Sequence, residues 1–352
     1  MHYHRKKQQI VLDNPELVLC ENGDFKIKAD LVEQYEIIDM HCHIFNGLSQ
    51  LFPPILQKEK SNNRKSLMDT SCFPYTIDLF DLNKISFTEC PTSILSMQGI
   101  QARIKLFSGA LVLNYATVDR LLRDMDDNHI GKAVVQQINP PNKSCAKVMD
   151  DIVKNNDRIH TFGSIHPFDD SILKKIEDYM KMDIKGWKLN PHVWGVPIDC
   201  QETIILLKEL AKTNLPIMSC SGVGFPKEVF DSHVPTKQTK KETMMQQLSK
   251  FEKVLENIPD AKFILAHSGG FDFEYIIDLM NKYPNTYTDI SIQPAANIKK
   301  LIDEIGSERI LFGTDYPFVT QAFSILSVLR ATDIEQERVN IFSENAKKML
   351  FL

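Results

Sequence analysis

No stretch of this sequence is apolar over the roughly 20 residues that a bilayer demands, so no membrane-spanning helix is expected. Nor is there an excess of positive charge. The 41 Lys and Arg face 46 Asp and Glu, a net of -5, which leaves no electrostatic footprint for nucleic acid or an anionic membrane. The seven cysteines are odd in number and scattered, without the paired spacing of a structural zinc site or a disulfide framework. A reducing cytoplasm is the expected setting. The basic start, Met1 to Lys7, is not followed by the apolar run of a signal peptide. There is no internal repeat, and no Gly-rich phosphate loop follows the first strand, which weakens a doubly wound sheet as the fold. What is present is an ordinary globular composition, 43% hydrophobic and 25% charged over 352 residues. That length suits two average domains or one α/β barrel with insertions.

Taken in order, the chain opens with two short alternating runs, Leu17 to Cys20 and Phe25 to Ile27, around Asn22-Gly23, a hairpin signal. A first strand follows at about 36–44. Residues 46–116 are irregular and are expected to form an insertion over the strand-1 end, as a lid or a wall of the substrate pocket. From there a helix–strand rhythm sets in. Helical spacing at Val118, Leu121, Leu122 and Met125 precedes a strand at 132–138, and the pattern repeats with strands at 159–165, 184–190, 215–221, 261–267, 286–291 and 309–315. Helices near 320–331 and 335–350 close the chain. Eight strands separated mostly by single helices predict an α/β fold, a (β/α)8 TIM barrel forming one domain over 1–352, whose sites sit where the strands end.

Those strand ends carry an unusual share of chemistry. In Asp39-Met40-His41-Cys42-His43, alternation puts Asp39, His41 and His43 on one face and Ile38, Met40, Cys42 and Ile44 on the other. Strand 4 ends in Lys188 and Asn190, strand 6 in His267 and strand 8 in Asp315. Shared parity of Phe263, Leu265 and His267, and of Leu311, Gly313 and Asp315, predicts that His267 and Asp315 face inward. Each residue alone has an ordinary reading: a hydrogen-bonded core histidine, a helix-capping aspartate, a rim lysine. Together they converge on one mouth, where neutral imidazoles and a carboxylate are the usual ligands of Zn²⁺ or Mn²⁺.

Asp-Met-His-Cys-His at 39–43, Gly186-Trp187-Lys188-Leu189-Asn190-Pro191-His192, Ile264-Leu265-Ala266-His267-Ser268-Gly269-Gly270 and Leu311-Phe312-Gly313-Thr314-Asp315-Tyr316-Pro317 resemble the amidohydrolase superfamily. The likeness is to its amidohydrolase-2 branch of metal-dependent hydrolases and aminocarboxymuconate-semialdehyde-type decarboxylases, and it runs over roughly 36–352. The resemblance implies His41, His43 and Asp315 as ligands of one divalent metal ion, Zn²⁺ or Mn²⁺. It implies His267 as an acid/base or substrate-polarising group. The family's strand-5 histidine is replaced by Cys220, which is either a thiolate ligand, the reading adopted, or a small buried residue in a weakened or metal-free site. His233, in the long loop after strand 5, is the alternative to Cys220 as that ligand. Some superfamily members carboxylate the strand-4 lysine to bridge two metals; in this branch Lys188 is expected to stay unmodified. The implied activity is hydrolysis of a small carboxylate-bearing amide, ester or lactone by metal-activated water. Asp315 takes the proton, and Lys188, Asn190 and His192 bind the substrate. A non-oxidative decarboxylase and a non-catalytic ligand-binding barrel are the alternatives. The expected partner is a small-molecule substrate, with a homodimer as the assembly considered and neither nucleic acid nor membrane.

Overall fold

A computed structural model describes residues 7–45, 116–138, 146–222, 248–270 and 272–351, with a few positions between 76 and 100. The predicted insertion at 46–116, the loop after strand 5 and His233 lie largely or wholly outside the described residues. Two strands are described within that insertion, β4 (Thr76–Asp78) and β5 (Ser86–Glu89), paired antiparallel. The hairpin forms as expected, β1 (Leu17–Leu19) against β2 (Phe25–Ile27), with Gly23 at φ 86 and Asn22 Oδ1 accepting from the Asp24 amide to make the turn.

The eight barrel strands are all present, shorter than the sequence runs. They are β3 (Ile38–Cys42), β6 (Lys132–Val135), β7 (Ile159–Thr161), β8 (Trp187–Leu189), β9 (Ile217–Cys220), β10 (Phe263–Ala266), β11 (Thr286–Asp289) and β12 (Ile310–Leu311). The pairs are parallel and follow chain order, β3-β6-β7 and β8-β9-β10-β11-β12. Two seams join these sheets into a ring. At the first, Gly163 bridges Trp187, its amide donating to Gly186 O at 2.8 Å while Lys188 N donates to Gly163 O at 2.7 Å. At the second, Cys42 bridges Tyr316, with Met40 N on Phe312 O at 2.9 Å and His43 N on Tyr316 O at 2.7 Å. Glycine is required at the first seam for room. A Cβ on Gly186 would stand 2.6 Å from the Phe162 ring, and one on Gly163 would stand 2.8 Å from the Trp187 ring.

Helices alternate with these strands because their apolar positions fall on one stripe. In Val118–Asp127, Leu121 and Met125 are buried, and Thr117 caps the helix by accepting from the Arg120 amide at 3.1 Å. The last helical stretch, Glu335–Val339 and Asn345–Leu350, is joined through a π-turn at Asn340–Glu344. It sends Ala346, Met349 and Leu350 against an inner cluster of Ile38, Met40, Val134, Phe162, Met218, Ile264, Ala266 and Leu311. These residues come from five different strands and, with Phe162, from the end of a sixth, so they fill the barrel interior beneath the mouth.

Two expectations about facing are corrected by that cluster. On β3 it is Ile38 and Met40, not Asp39, that line the interior. A bulge is the reason: Asp39 to Cys42 spans three steps opposite the two from Ala133 to Val135, so parity reverses along the strand and His41 and His43 take over the inner face. On β10, Ile264 and Ala266 line the barrel, while Phe263 and Leu265 pack outward with the helices. His267 enters the mouth because the chain leaves the strand there, with His267 at φ 62 and Ser268 at φ 45. Leu311 does face inward, as expected. Among the described residues no helix is long and apolar enough to cross a membrane.

Candidate metal centre

Asp39 ties the first barrel strand to the last. One of its oxygens accepts from the His41 amide at 3.0 Å and the Thr314 amide at 3.1 Å, and the other from the Thr314 hydroxyl at 2.6 Å. Burial raises its carboxyl to about 7 against the lowering effect of those bonds. The bulge and this knot present two imidazoles to the mouth, and each has one ring nitrogen already committed. His41 Nδ1 lies 3.0 Å from Asp289 Oδ2, and His43 Nδ1 lies 2.9 Å from Gln136 O. A carboxylate and a carbonyl only accept, so these partners assign the proton to Nδ1 in both rings. Nε2 is therefore the mouth-facing nitrogen of each ring, and in His41 it accepts from Lys188.

Both Nε2 atoms face Asp315. Its Oδ1 is 3.1 Å from His43 Nε2 and 3.8 Å from His41 Nε2. Burial, and then the charge of Lys188, hold His41 down to about 4, so it stays neutral near pH 7. Burial alone would raise Asp315, but the charge of His267 and the bond from His43 outweigh it and hold the carboxyl at about 2. Two imidazole nitrogens and an ionised oxygen, all within 4.8 Å of one another, form a donor set that fits a divalent cation. The second nitrogen of each ring, bonded to a carboxylate or a backbone carbonyl, is the usual outer support of a metal-ligating histidine.

Around this trio the other expected residues take distinct places. Lys188 is buried on β8, with Nζ 3.2 Å from His41 Nε2. The His267 ring stands 4.7 Å from that of His41, and its Nδ1 meets Ser291 Oγ at 2.8 Å. Ser291 in turn donates to Asp289 Oδ1, so one carboxylate supports both histidines. Burial would lower His267, but the charge of Asp315 and a bond with Cys220 outweigh it and bring it to about 9. Cys220 closes β9, with its sulfur 3.9 Å from Asn190 Oδ1 and bonded to His192 and His267. Burial works to raise this thiol, while Lys188, His192 and the two histidine bonds hold it well below the ordinary thiol range. Among the described residues two donor sets close to within 4.8 Å, His41-His43-Asp315 and His41-His267-Asp289, and Cys220 belongs to neither. Asn190 is buried and donates to Gln137 O at 2.8 Å, whereas His192 is exposed on the short helix Pro191–Trp194.

Three residues of the centre, and a buried pair beyond it, escaped sequence reasoning. Asp289 and Ser291 end the seventh strand run, so the signal was the same strand-end position that marked His267 and Asp315. Gln136 acts through its backbone carbonyl, which no side-chain pattern reveals. Ser164, after β7, is buried with its hydroxyl unpartnered. Two residues on, His166 accepts from the Phe168 amide through Nδ1, and its Nε2 is buried without a partner.

A sequence profile of the amidohydrolase family, that of its amidohydrolase-2 branch, matches residues 38–352. The chain belongs to the amidohydrolase family. No curated protein sequence matches it. Among solved structures, this amidohydrolase is similar to 5-carboxyvanillate decarboxylase from Sphingomonas paucimobilis, with a TM-score of 0.61, 13% identity, and coverage of 91% of this chain and 100% of that one. It is similar to the 5-carboxyvanillate decarboxylase of Novosphingobium aromaticivorans, solved with manganese and 4-hydroxy-3-methoxy-5-nitrobenzoic acid, at TM-score 0.60, 16% identity, and 93% and 98% coverage. It is also similar to a probable 2-pyrone-4,6-dicarboxylic acid hydrolase from Acinetobacter baumannii with citric acid bound, at TM-score 0.54, 11% identity, and 90% and 100% coverage. At these identities the likeness establishes the fold, and the reaction has to be argued from the site.

Proposed function

We propose that this amidohydrolase is a metal-dependent hydrolase of a small carboxylate-bearing amide, ester or lactone. The observation that carries the reading is the pair of Nε2 atoms, turned to the mouth by the Nδ1 contacts with Asp289 and Gln136, beside an ionised Asp315. His41, His43 and Asp315 would hold one divalent ion, Zn²⁺ or Mn²⁺. Cys220 offers a thiolate as a fourth donor, since its sulfur is in contact with His267 in the same mouth. Bound there, such an ion supplies Lewis acidity and makes water acidic enough to ionise near neutral pH.

The chain's own groups supply the remainder. Asp315, kept ionised, orients the attacking water and accepts its proton. His267, kept protonated beside Asp315, polarises the scissile carbonyl and returns a proton to the leaving group. Its ring is steadied by Ser291 and, through it, Asp289. Lys188 and Asn190 bind the substrate carboxylate with His192 at the rim, and the unpartnered Ser164 hydroxyl and His166 Nε2–H are two further donors for it. Substrate choice would fall to the loops of 46–116 and 222–250. A cytoplasmic setting agrees with Cys20, Cys42, Cys200 and Cys220 being free thiols.

A non-oxidative decarboxylase is the second reading, favoured by the same protonated His267, because a carbon losing CO₂ needs a proton donor. The test is metal-loaded protein against lactones, amides and aromatic carboxylic acids in ¹⁸O-water. Hydrolysis places ¹⁸O in the product acid with no CO₂ released. Release of CO₂ without ¹⁸O in the product selects the lyase. Absence of both tightly bound metal and turnover selects a ligand-binding barrel.

A further inference from the structure

The β1–β2 hairpin lies ahead of residue 38, where the family match begins, yet a run of polar contacts leads from it to the metal centre. Asp24, in the hairpin turn, accepts from Arg120 Nη2 at 2.6 Å. Arg120 is 4% exposed and directs its Nε at both oxygens of Asp124, each 2.9 Å away. Asp124 Oδ2 also accepts from the Tyr316 hydroxyl at 2.9 Å. Tyr316 is itself 4% exposed and follows Asp315 directly in the chain.

The backbone of this segment is fastened to the other two proposed ligands. Asp315 N donates to His41 O at 2.7 Å, and Tyr316 O accepts from His43 N at 2.7 Å. Asp315 itself sits at φ 56, a left-handed conformation that costs a residue with a Cβ about 1–2 kcal/mol. Such a conformation persists only where its surroundings over-determine it. The backbone bonds fix the strand-1 side of the segment, and the Tyr316 side chain fixes its other side against helix Val118–Asp127.

We infer that Tyr316 is a positioning residue for the metal centre, and that the hairpin, through Asp24, Arg120 and Asp124, holds its hydroxyl in place. The inference rests on the reading that His43 and Asp315 hold a metal. A small rotation of the 315–316 peptide changes the Asp315 Oδ1 to His43 Nε2 separation, now 3.1 Å, and with it the spacing of the donor set. The hairpin, outside the family match, is then part of the metal centre's support in this chain.

Zn²⁺ affinity, measured by competition with a chromophoric chelator, tests this on the full chain. Tyr316→Phe keeps the ring and removes only the hydroxyl, and it should weaken Zn²⁺ binding about tenfold or more, the usual effect of losing an outer support. Asp24→Asn should weaken binding in the parent and have no further effect in the Tyr316→Phe background, since both act through one path. Glu16→Gln removes the hairpin's exposed pair with Arg330 without touching the path, and should leave Zn²⁺ affinity at the parent value. Parent-like affinity in Tyr316→Phe, an equal loss in Glu16→Gln, or full additivity of Asp24→Asn with Tyr316→Phe overturns the inference. Amide hydrogen exchange over 312–318 in metal-free protein separates it from the metal reading. Exchange should be roughly tenfold faster in Tyr316→Phe. Unchanged exchange overturns the tether, whereas faster exchange in Tyr316→Phe together with a parent that holds no zinc counts only against the metal.

Discussion

Asp289 is fully buried, bonds His41 directly and reaches His267 through Ser291, so a single side chain sets the proton positions of two rings. Asp289→Asn replaces an acceptor-only carboxylate with an amide whose NH₂ can donate to Nδ1, so the His41 proton is no longer forced onto that nitrogen. Metal affinity should fall about 10–100-fold although no proposed ligand is changed, as read by metal content after dialysis against a chelator. Asp315→Asn differs in kind, because it removes both a charge and the proton acceptor. Turnover should drop by about 10²–10⁴ or more with the fold intact by circular dichroism, and activity within a few-fold of the parent rules Asp315 out as the base. Cys220 is decided by the same dialysis assay. If its sulfur ligates, Cys220→Ser loses metal, because a neutral hydroxyl is a poorer zinc ligand, and Cys220→His retains it. Equal retention in parent and both variants makes the site a trio of His41, His43 and Asp315.

At the scale of elements, the seam between β7 and β8 carries a packing test. Phe162 occupies the space over Gly186, and Trp187 the space over Gly163. Gly186→Ala forces a methyl into the Phe162 ring and should cost about 1–3 kcal/mol by urea denaturation, the usual range for overpacking a core. A change below 0.5 kcal/mol, an order-of-magnitude threshold, would show that the ring has room to move. The bulge on β3 has a comparable weight for function. Without its extra residue, the alternation of Ile38 and Met40 would continue inward to Cys42, and both histidines would face the helices.

The whole molecule's stability should report the centre through its histidines. In metal-free protein His267 is raised to about 9 from an ordinary 6.5, so its contribution is fully present below about 6.5 and lost as pH rises through about 9. His41 is lowered from 6.5 to about 4, so its contribution is present above about 6.5 and lost as pH falls towards about 4. His267→Gln should therefore flatten the alkaline limb, measured by urea denaturation at about pH 6 and about pH 9.5. A parallel loss in parent and variant between those two values would remove His267 as the cause. Metal binding, which needs His41 neutral and Asp315 ionised, should add stability that grows with free metal concentration.

Much of this was legible along the chain because it is written locally. Period-3.6 stripes such as Leu121 and Met125 and runs such as Phe263 to Ala266 specify helices and strands by themselves. Eight alternations leave few topologies, and the residues at the strand ends, His41, His43, Lys188, His267 and Asp315, already marked the mouth. The tertiary structure alone decided which way those side chains point. A bulge is a mismatch between two strands, so Asp39-Met40-His41 in isolation reads as regular alternation, and the inner face was assigned wrongly until β6 lay beside it. The partners that fix the protons are equally non-local: Asp289 lies 248 residues from His41, and Gln136 lies 93 residues from His43 and contributes only a carbonyl. The residue types fixed the chemistry available at the mouth. The orientation of both Nε2 atoms that makes it a candidate metal centre exists only once the closed barrel brings an acceptor to each Nδ1.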